Sequence, residues 1–290
     1  MSVFPSQEVL KQAKDLASPC RICPRLCGVD RNAGEKGYCG IGRTPLVASA
    51  GPHYGEEPPL VGRGGSGTIF FSGCNLGCVF CQNFRISHER RGETRSPRDL
   101  ADTMLELQRR GCENINLVTP SHVVPWWMEA VRLARLDEMQ LPIIYNCGGY
   151  ERVETLRLLE DTVDIYMPDA KYWEPQVAER FSGARDYPEK MRESLREMHR
   201  QVGDLTVHGG VARSGLLVRH LVMPGNVEGS RQILDFIARE ISSETSVNVM
   251  DQYRPSYQAH EYEEISRTPT RNEYVQVREH AEKLGLRVLD

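Results

Sequence analysis

What the sequence lacks narrows it before any motif is read. No apolar run approaches the roughly 18 residues needed to cross a bilayer. The stretch Met1-Ser2-Val3-Phe4-Pro5 has neither the charged nor the apolar region of a secretory signal. A cytoplasmic protein with no membrane partner is therefore expected. Charge of one sign is also missing: 36 Lys and Arg stand against 40 Asp and Glu, interspersed, for a net −4. That leaves no electrostatic footprint for a nucleic-acid partner. Internal repeats and low-complexity tracts are absent beyond an alternation of strand and helix patterns. A dinucleotide fingerprint is absent too, because Gly148-Gly149 is too short to be one.

Cysteine, by contrast, is plentiful: nine residues, odd in number and clustered. This fits metal binding in a reducing compartment better than a disulfide framework. Cys74, Cys78 and Cys81 stand at C-x3-C-x2-C spacing, directly after a run, Thr68-Ile69-Phe70-Phe71, that reads as a buried strand. Thiolates are the usual ligands of iron–sulfur clusters. Three donors in one loop leave one corner of a cubane open, as a catalytic metal keeps a position free. Gly73 and Gly77 let the backbone close around a bulky inorganic core. A structural zinc loop, or three unrelated buried cysteines, is the plainer alternative.

Four more cysteines precede this loop, Cys20, Cys23, Cys27 and Cys39, at C-x2-C-x3-C-x11-C spacing. They make a complete, closed ligand set for one Zn²⁺ or a second cluster, structural or electron-relaying. Zinc, iron–sulfur and a metal-free reactive segment all remain open. From Gly51 to Gly67 glycine and proline dominate, the composition of a linker or irregular wrap. The domain boundary is accordingly placed near Val61, with a cysteine-rich segment over 1–61 and a larger domain over 62–290.

A chain of 290 residues can bury one barrel-sized core with a small appendage. Apolar periodicity predicts strands at 68–71, 114–118, 142–145, 163–167, 216–223, 247–250 and 286–289. It predicts helices at 6–16, 97–110, 123–136, 151–159, 187–202, 230–241 and 271–284. Strands followed by helices argue for parallel pairing and an α/β fold, a partial (β/α)6 barrel, with a doubly wound sheet as the alternative. In such barrels the chemistry collects where strands end. The exits here carry the cysteine loop, Thr119-Pro120-Ser121-His122, Asn146-Cys147-Gly148-Gly149, Asp169-Ala170-Lys171, Arg219 to Gly225, and Asp251-Gln252-Tyr253-Arg254.

The cysteine loop, with Phe80 before its third thiol, resembles the C-x3-C-x-aromatic-C signature of the radical S-adenosylmethionine (SAM) superfamily. Asp169-x-Lys171, and Arg219-His220 ahead of Pro224-Gly225, are similar to motifs of the glycyl-radical-enzyme activating branch, which includes the pyruvate formate-lyase activating enzymes. Cys-Pro-Arg-x-Cys-Gly-Val-Asp-Arg at 23–31, Tyr-Asn-Cys-Gly-Gly-Tyr-Glu at 145–151 and Met-Asp-Gln-Tyr-Arg-Pro at 250–255 resemble an activating-enzyme-like subgroup.

The resemblance implies a [4Fe-4S] cluster on Cys74, Cys78 and Cys81, with SAM bound at its open iron. Asp169, Lys171 and His220 would hold the ribose and carboxylate of SAM, and Phe80 would lie beside the cofactor. Reductive cleavage would give methionine and a 5′-deoxyadenosyl radical, which takes hydrogen from a substrate. An external donor such as flavodoxin or ferredoxin would supply the electron. The branch's G-G-E, which receives the SAM amino group after the second strand, is absent, so Ser121 and nearby carbonyls are expected in its place. Asn146 is a further SAM candidate, and His122, Cys147, Tyr253 and Arg254 are substrate candidates. A protein or peptide substrate, such as a glycyl radical enzyme, is the leading expectation. A small-molecule substrate and a non-catalytic metal protein are the alternatives.

Overall fold

The computed structural model describes residues 4–289. In chain order its strands are β1 (Leu46–His53), β2 (Ser66–Phe71), β3 (Glu93–Thr94), β4 (Ile115–Val118), β5 (Ile143–Cys147), β6 (Ile165–Pro168), β7 (Thr206–His208), β8 (Val211–Leu221), β9 (Ser246–Met250) and β10 (Arg287–Val288). The helices are α1 (Gln7–Asp15), α2 (Pro58–Val61), α3 (Phe84–Ser87), α4 (Pro97–Arg109), α5 (Val124–Leu136), α6 (Val153–Arg157), α7 (Pro175–Ser182), α8 (Tyr187–Val202), α9 (Val227–Phe236) and α10 (Arg271–Lys283).

One sheet runs in the order β10-β9-β8-β6-β5-β4-β2-β1-β3, with β7 as a side hairpin on β8. From β2 to β10 every pair on this path is parallel. Helices α4, α5, α8 and α9 fall between successive parallel strands, which makes the architecture a partial, open α/β barrel. Local chemistry sets the helix starts. Ser96 and Thr270 cap α4 and α10 in full capping boxes with Asp99 and Glu273.

Alternate residues of the parallel strands divide between two cores. Ile69, Leu117, Tyr145, Tyr166, Leu216 and Val218 join the main core with Met104 of α4, Trp127 of α5 and Leu195 of α8. Their neighbours Ile144, Ile165, Met167 and Leu217 turn to the concave side and pack with Leu60 of α2. The short helix α2 therefore plugs the inside of the barrel.

This corrects the linker reading of Gly51–Gly67. Gly51 to His53 complete β1, which pairs antiparallel with β2, and Pro58–Val61 is α2. Prolines at the first turn of a helix cost nothing, since those N–H groups have no intrahelical partner. The composition of a loop thus concealed a helical plug. The sheet runs across residue 61, with β1 before it and β2 after it.

Candidate active site

The loop leaving β2 wraps tightly because its backbone permits it. Gly73 has a φ of 80°, and a Cβ there would stand 2.7 Å from the Cys39 carbonyl oxygen. Each sulfur of the following loop has a hydrogen-bond partner. The Leu76 N–H reaches Cys74 Sγ at 3.3 Å, the Ser182 hydroxyl donates to Cys78 Sγ at 3.0 Å, and Ser87 Oγ lies 3.1 Å from Cys81 Sγ. Burial pushes the Cys74 and Cys78 thiols above their ordinary range. Two desolvated thiols that meet donors, with Cys81 beside them, suit an inorganic core that takes all three as thiolates. The arrangement fits a cluster.

Phe80 is buried between Tyr172 and Tyr253, edge-on to each at 6.4 and 5.8 Å between ring centres. It anchors the loop by packing. Tyr172 in turn hydrogen-bonds Ser182 at 2.7 Å, so the donor to Cys78 is itself held.

Opposite the loop, β6 ends in Asp169-Ala170-Lys171. Lys171 Nζ meets Asp169 Oδ2 at 2.5 Å, with both side chains largely buried. Burial alone would discharge Lys171. The charges of Asp169 and of Cys78 outweigh it and hold the ammonium above its ordinary range. Tyr187, at the start of α8, fixes this turn. Its hydroxyl accepts the Lys171 N–H at 3.0 Å and points at the carbonyls of Gly148 and Asp169, each 2.9 Å away. Gly149, with φ 74°, lies so close that a Cβ would stand 2.1 Å from the Asp169 oxygen. Asn146 follows Ile144 to the concave side and makes no side-chain hydrogen bond among the described residues. His220 is fully buried, with Nδ1 2.6 Å from the Ala170 oxygen and Nε2 without a partner.

Several sequence expectations change here. Ser121 does not face an amino-group pocket: its hydroxyl donates to Glu151 Oε1 at 2.5 Å, on the side where Tyr145 also meets that carboxylate at 2.8 Å. Cys147 shares the strand face of Tyr145 and gives its thiol to the same carboxylate, so it does not point into the mouth. Glu151 is buried, and desolvation pushes its carboxyl up to about 7 against those three donors.

His122 offers no surface to a substrate. It is 1% exposed, lies 2.8 Å from the Ser72 oxygen, and is held neutral by burial and the charge of Arg31, at about 3. Tyr253 spends its hydroxyl on the Ile265 carbonyl at 2.7 Å and its ring on Phe80. Among the substrate candidates, Arg254 alone is exposed.

Residues missed by sequence reasoning complete the mouth. Arg219 binds Glu57 through Nε at 2.7 Å and Nη2 at 2.6 Å, and Nη2 also meets Glu56. Asn248 of β9 donates to Glu57 at 2.8 Å. This network ties the plug α2 to β8 and β9 at the level of Asp169, which bridges Arg219. A Glu-Glu-Pro-Pro string beside a strand arginine was the available signal. Arg25 joins the N-terminal segment to the cysteine loop, donating to the oxygens of Asn75, Ser182 and Gly183 at 2.8, 3.1 and 2.5 Å.

A three-thiol loop at the first parallel strand of an open α/β barrel, faced by a buried lysine at another strand's exit, defines a class of metal-dependent enzyme. Residues 68–237, more than half of the chain, match the family model of the radical SAM superfamily, and the chain belongs to that superfamily. Membership implies a [4Fe-4S] cluster and SAM. The chain is 32% identical over 282 residues to the uncharacterized protein MJ0674 of Methanocaldococcus jannaschii, covering 94% of this chain and 77% of that one.

Among solved structures it is similar to Streptococcus suis SuiB bound to the precursor peptide SuiA, with 12% identity and a TM-score of 0.47, covering 72% of this chain and 43% of that one. It is also similar to anSMEcpe with bound AdoMet, with 8% identity and a TM-score of 0.49, covering 73% and 57%. The chain thus spans less than two thirds of those structures' lengths. Among the described residues no helix is long and apolar enough to cross a membrane.

Proposed function

We propose that this chain is an activating-enzyme-like radical SAM oxidoreductase that takes a hydrogen atom from a protein or peptide substrate, a glycyl radical enzyme being one such partner. The observation that carries the reading is the buried Asp169–Lys171 pair facing the three thiols of Cys74, Cys78 and Cys81 across the mouth. When bound, the reduced [4Fe-4S] cluster supplies the electron that splits SAM into methionine and a 5′-deoxyadenosyl radical.

The chain's own residues do the rest. Lys171 is a buried cation suited to a carboxylate, and Asp169 can accept from ribose hydroxyls once Lys171 turns to the ligand. Asn146, on the concave face, is a polar side chain left for the nucleoside, while His220, fully buried, braces the Asp169–Lys171 turn through the Ala170 oxygen. With Ser121 committed to Glu151, the amino group of SAM falls to backbone carbonyls of the turn at Thr119, a β-branched residue held at φ 59°. Leu60 and the Glu57–Arg219 network close the inside of the barrel, so reactive species form away from bulk water.

The protein or peptide substrate is supported by the Asp169-x-Lys171 and Arg219-His220 motifs and by an exposed rim beside the cysteine loop that includes Gln82, Gln252 and Arg254. A one-electron donor of the flavodoxin or ferredoxin kind and a reducing cytoplasm complete the reading. The test is anaerobic incubation with SAM, reductant and candidate proteins carrying deuterium. Label appearing in 5′-deoxyadenosine from a polypeptide supports the reading, and label appearing only from a metabolite refutes it.

A further inference from the structure

Arg31 is the anomaly of the N-terminal segment. It is 1% exposed, with Nε on the Gly42 oxygen at 3.1 Å and Nη1 on the His122 oxygen at 2.5 Å. The guanidinium lies 4.4 Å over Trp126. Its Nη2 has no partner, and among the described residues no carboxylate pairs with it. An arginine cannot shed its proton, and burying a charge without a counter-charge is unfavourable. Something anionic is therefore called for beside it. The groups at hand are thiols: Arg31 lies inside the four-cysteine segment, with its Nε held at Gly42, three residues beyond Cys39. Four thiolates around a metal core make a net anion, and neutral thiols do not.

The backbone is wound to present those sulfurs. Leu26, Gly28 and Gly40 take φ values of 43°, 70° and 75°, and the Cys20 N–H closes a turn on the Val29 oxygen at 2.8 Å. The Tyr38 N–H lies 3.3 Å from Cys27 Sγ. Hydrogen bonds to sulfur of this kind set the potentials of iron–sulfur sites.

The two sets also touch. The Cys39 carbonyl packs against Gly73 and accepts from Arg90 Nε at 3.2 Å, and the Tyr38 hydroxyl stands beside Gly77. We propose that Cys20, Cys23, Cys27 and Cys39 hold a second iron–sulfur cluster that relays electrons to the cluster on Cys74, Cys78 and Cys81. One electron from an external flavodoxin-type donor reduces the N-terminal cluster, and the same electron then passes on, returning that cluster to its oxidised state. The relay rests on the SAM-cluster reading of the second set; the site itself does not.

The test uses the full chain, purified without oxygen. A Cys74→Ala, Cys78→Ala, Cys81→Ala protein is expected to keep about four irons and four sulfides. In that background Arg31→Gln should lower the cluster's midpoint potential, since a neighbouring positive charge is removed. In the otherwise native chain, Cys20→Ala with Cys39→Ala should lose a matching amount of iron. Flavodoxin should then reduce the remaining cluster more slowly than in the native protein. Stoichiometric zinc without sulfide in the triple variant, or no metal there, overturns the site. An unchanged flavodoxin rate overturns the relay. A triple variant with all the native iron would instead sink the SAM-cluster assignment and leave the N-terminal site standing.

Discussion

Replacing Arg219 by methionine removes the cation that pairs with two buried carboxylates in the barrel mouth. The side chains of Arg219, Glu56 and Glu57 are 16%, 7% and 2% exposed, so water screens little of the change. Burial alone would raise the Glu57 carboxyl. The hydrogen bonds and charge of Arg219, with help from Asn248, outweigh burial and hold it below the usual carboxylate range. Breaking a buried pair by removing one partner costs about 3–5 kcal/mol. For a domain of this size that is a fall in Tm of roughly 6–20 °C.

The pH dependence has a sign. In the native chain the depressed Glu57 pKa adds stability that is present above the unfolded carboxylate value and lost as pH falls through the folded one. In Arg219→Met burial wins at Glu57, its carboxyl rises, and the folded state binds the extra proton. The deficit should therefore be smaller near about pH 5 than near about pH 8. Adding Glu56→Gln and Glu57→Gln to Arg219→Met should recover most of the loss, because no charge then stays buried alone. Anaerobic thermal and guanidinium unfolding, at matched iron content, reads all three. A single variant within about 1 kcal/mol of native at both pH values, or a triple as weak as the single, would refute the reasoning.

Other substitutions probe the site more locally. Tyr187→Phe removes the hydroxyl that braces Lys171 and should cost about 1–2 kcal/mol. It should weaken SAM binding in a spectral titration while iron content holds. Gly149→Ala places a Cβ 2.1 Å from the Asp169 oxygen at φ 74° and should unfold the mouth. Gly203→Ala, at φ 67° and ψ −160°, a region open essentially to glycine alone, should cost about 1–3 kcal/mol with nothing within 4 Å to clash, as measured by Tm. Ser182→Ala deletes the 3.0 Å donor to Cys78 and should shift the cluster's midpoint potential downward at unchanged iron content, read by redox titration.

The six main strands were legible because parallel strands, buried on both faces, read as apolar runs: Ile115–Val118 and Leu216–Leu221 could hardly be anything else. The cysteine loop was legible from spacing, and Asp169-x-Lys171 from its place at a strand exit. Chemistry that depends on distant pairing was not. Glu57 and Arg219 lie 162 positions apart, and α2 hid in a Gly/Pro-rich stretch because prolines at a helix start mimic a loop. Ser121, Cys147 and Tyr253 were misjudged for one reason. Position at a strand exit says nothing of which face a side chain takes, and Glu151 and Ile265 had already claimed their polar atoms.

The central claim is that Cys74, Cys78 and Cys81 hold the cluster that splits SAM. Anaerobically reconstituted protein, given dithionite and SAM, should form 5′-deoxyadenosine and methionine in equal amounts, and the triple alanine variant should form neither. Product from the variant, or none from the reconstituted native chain, would contradict it.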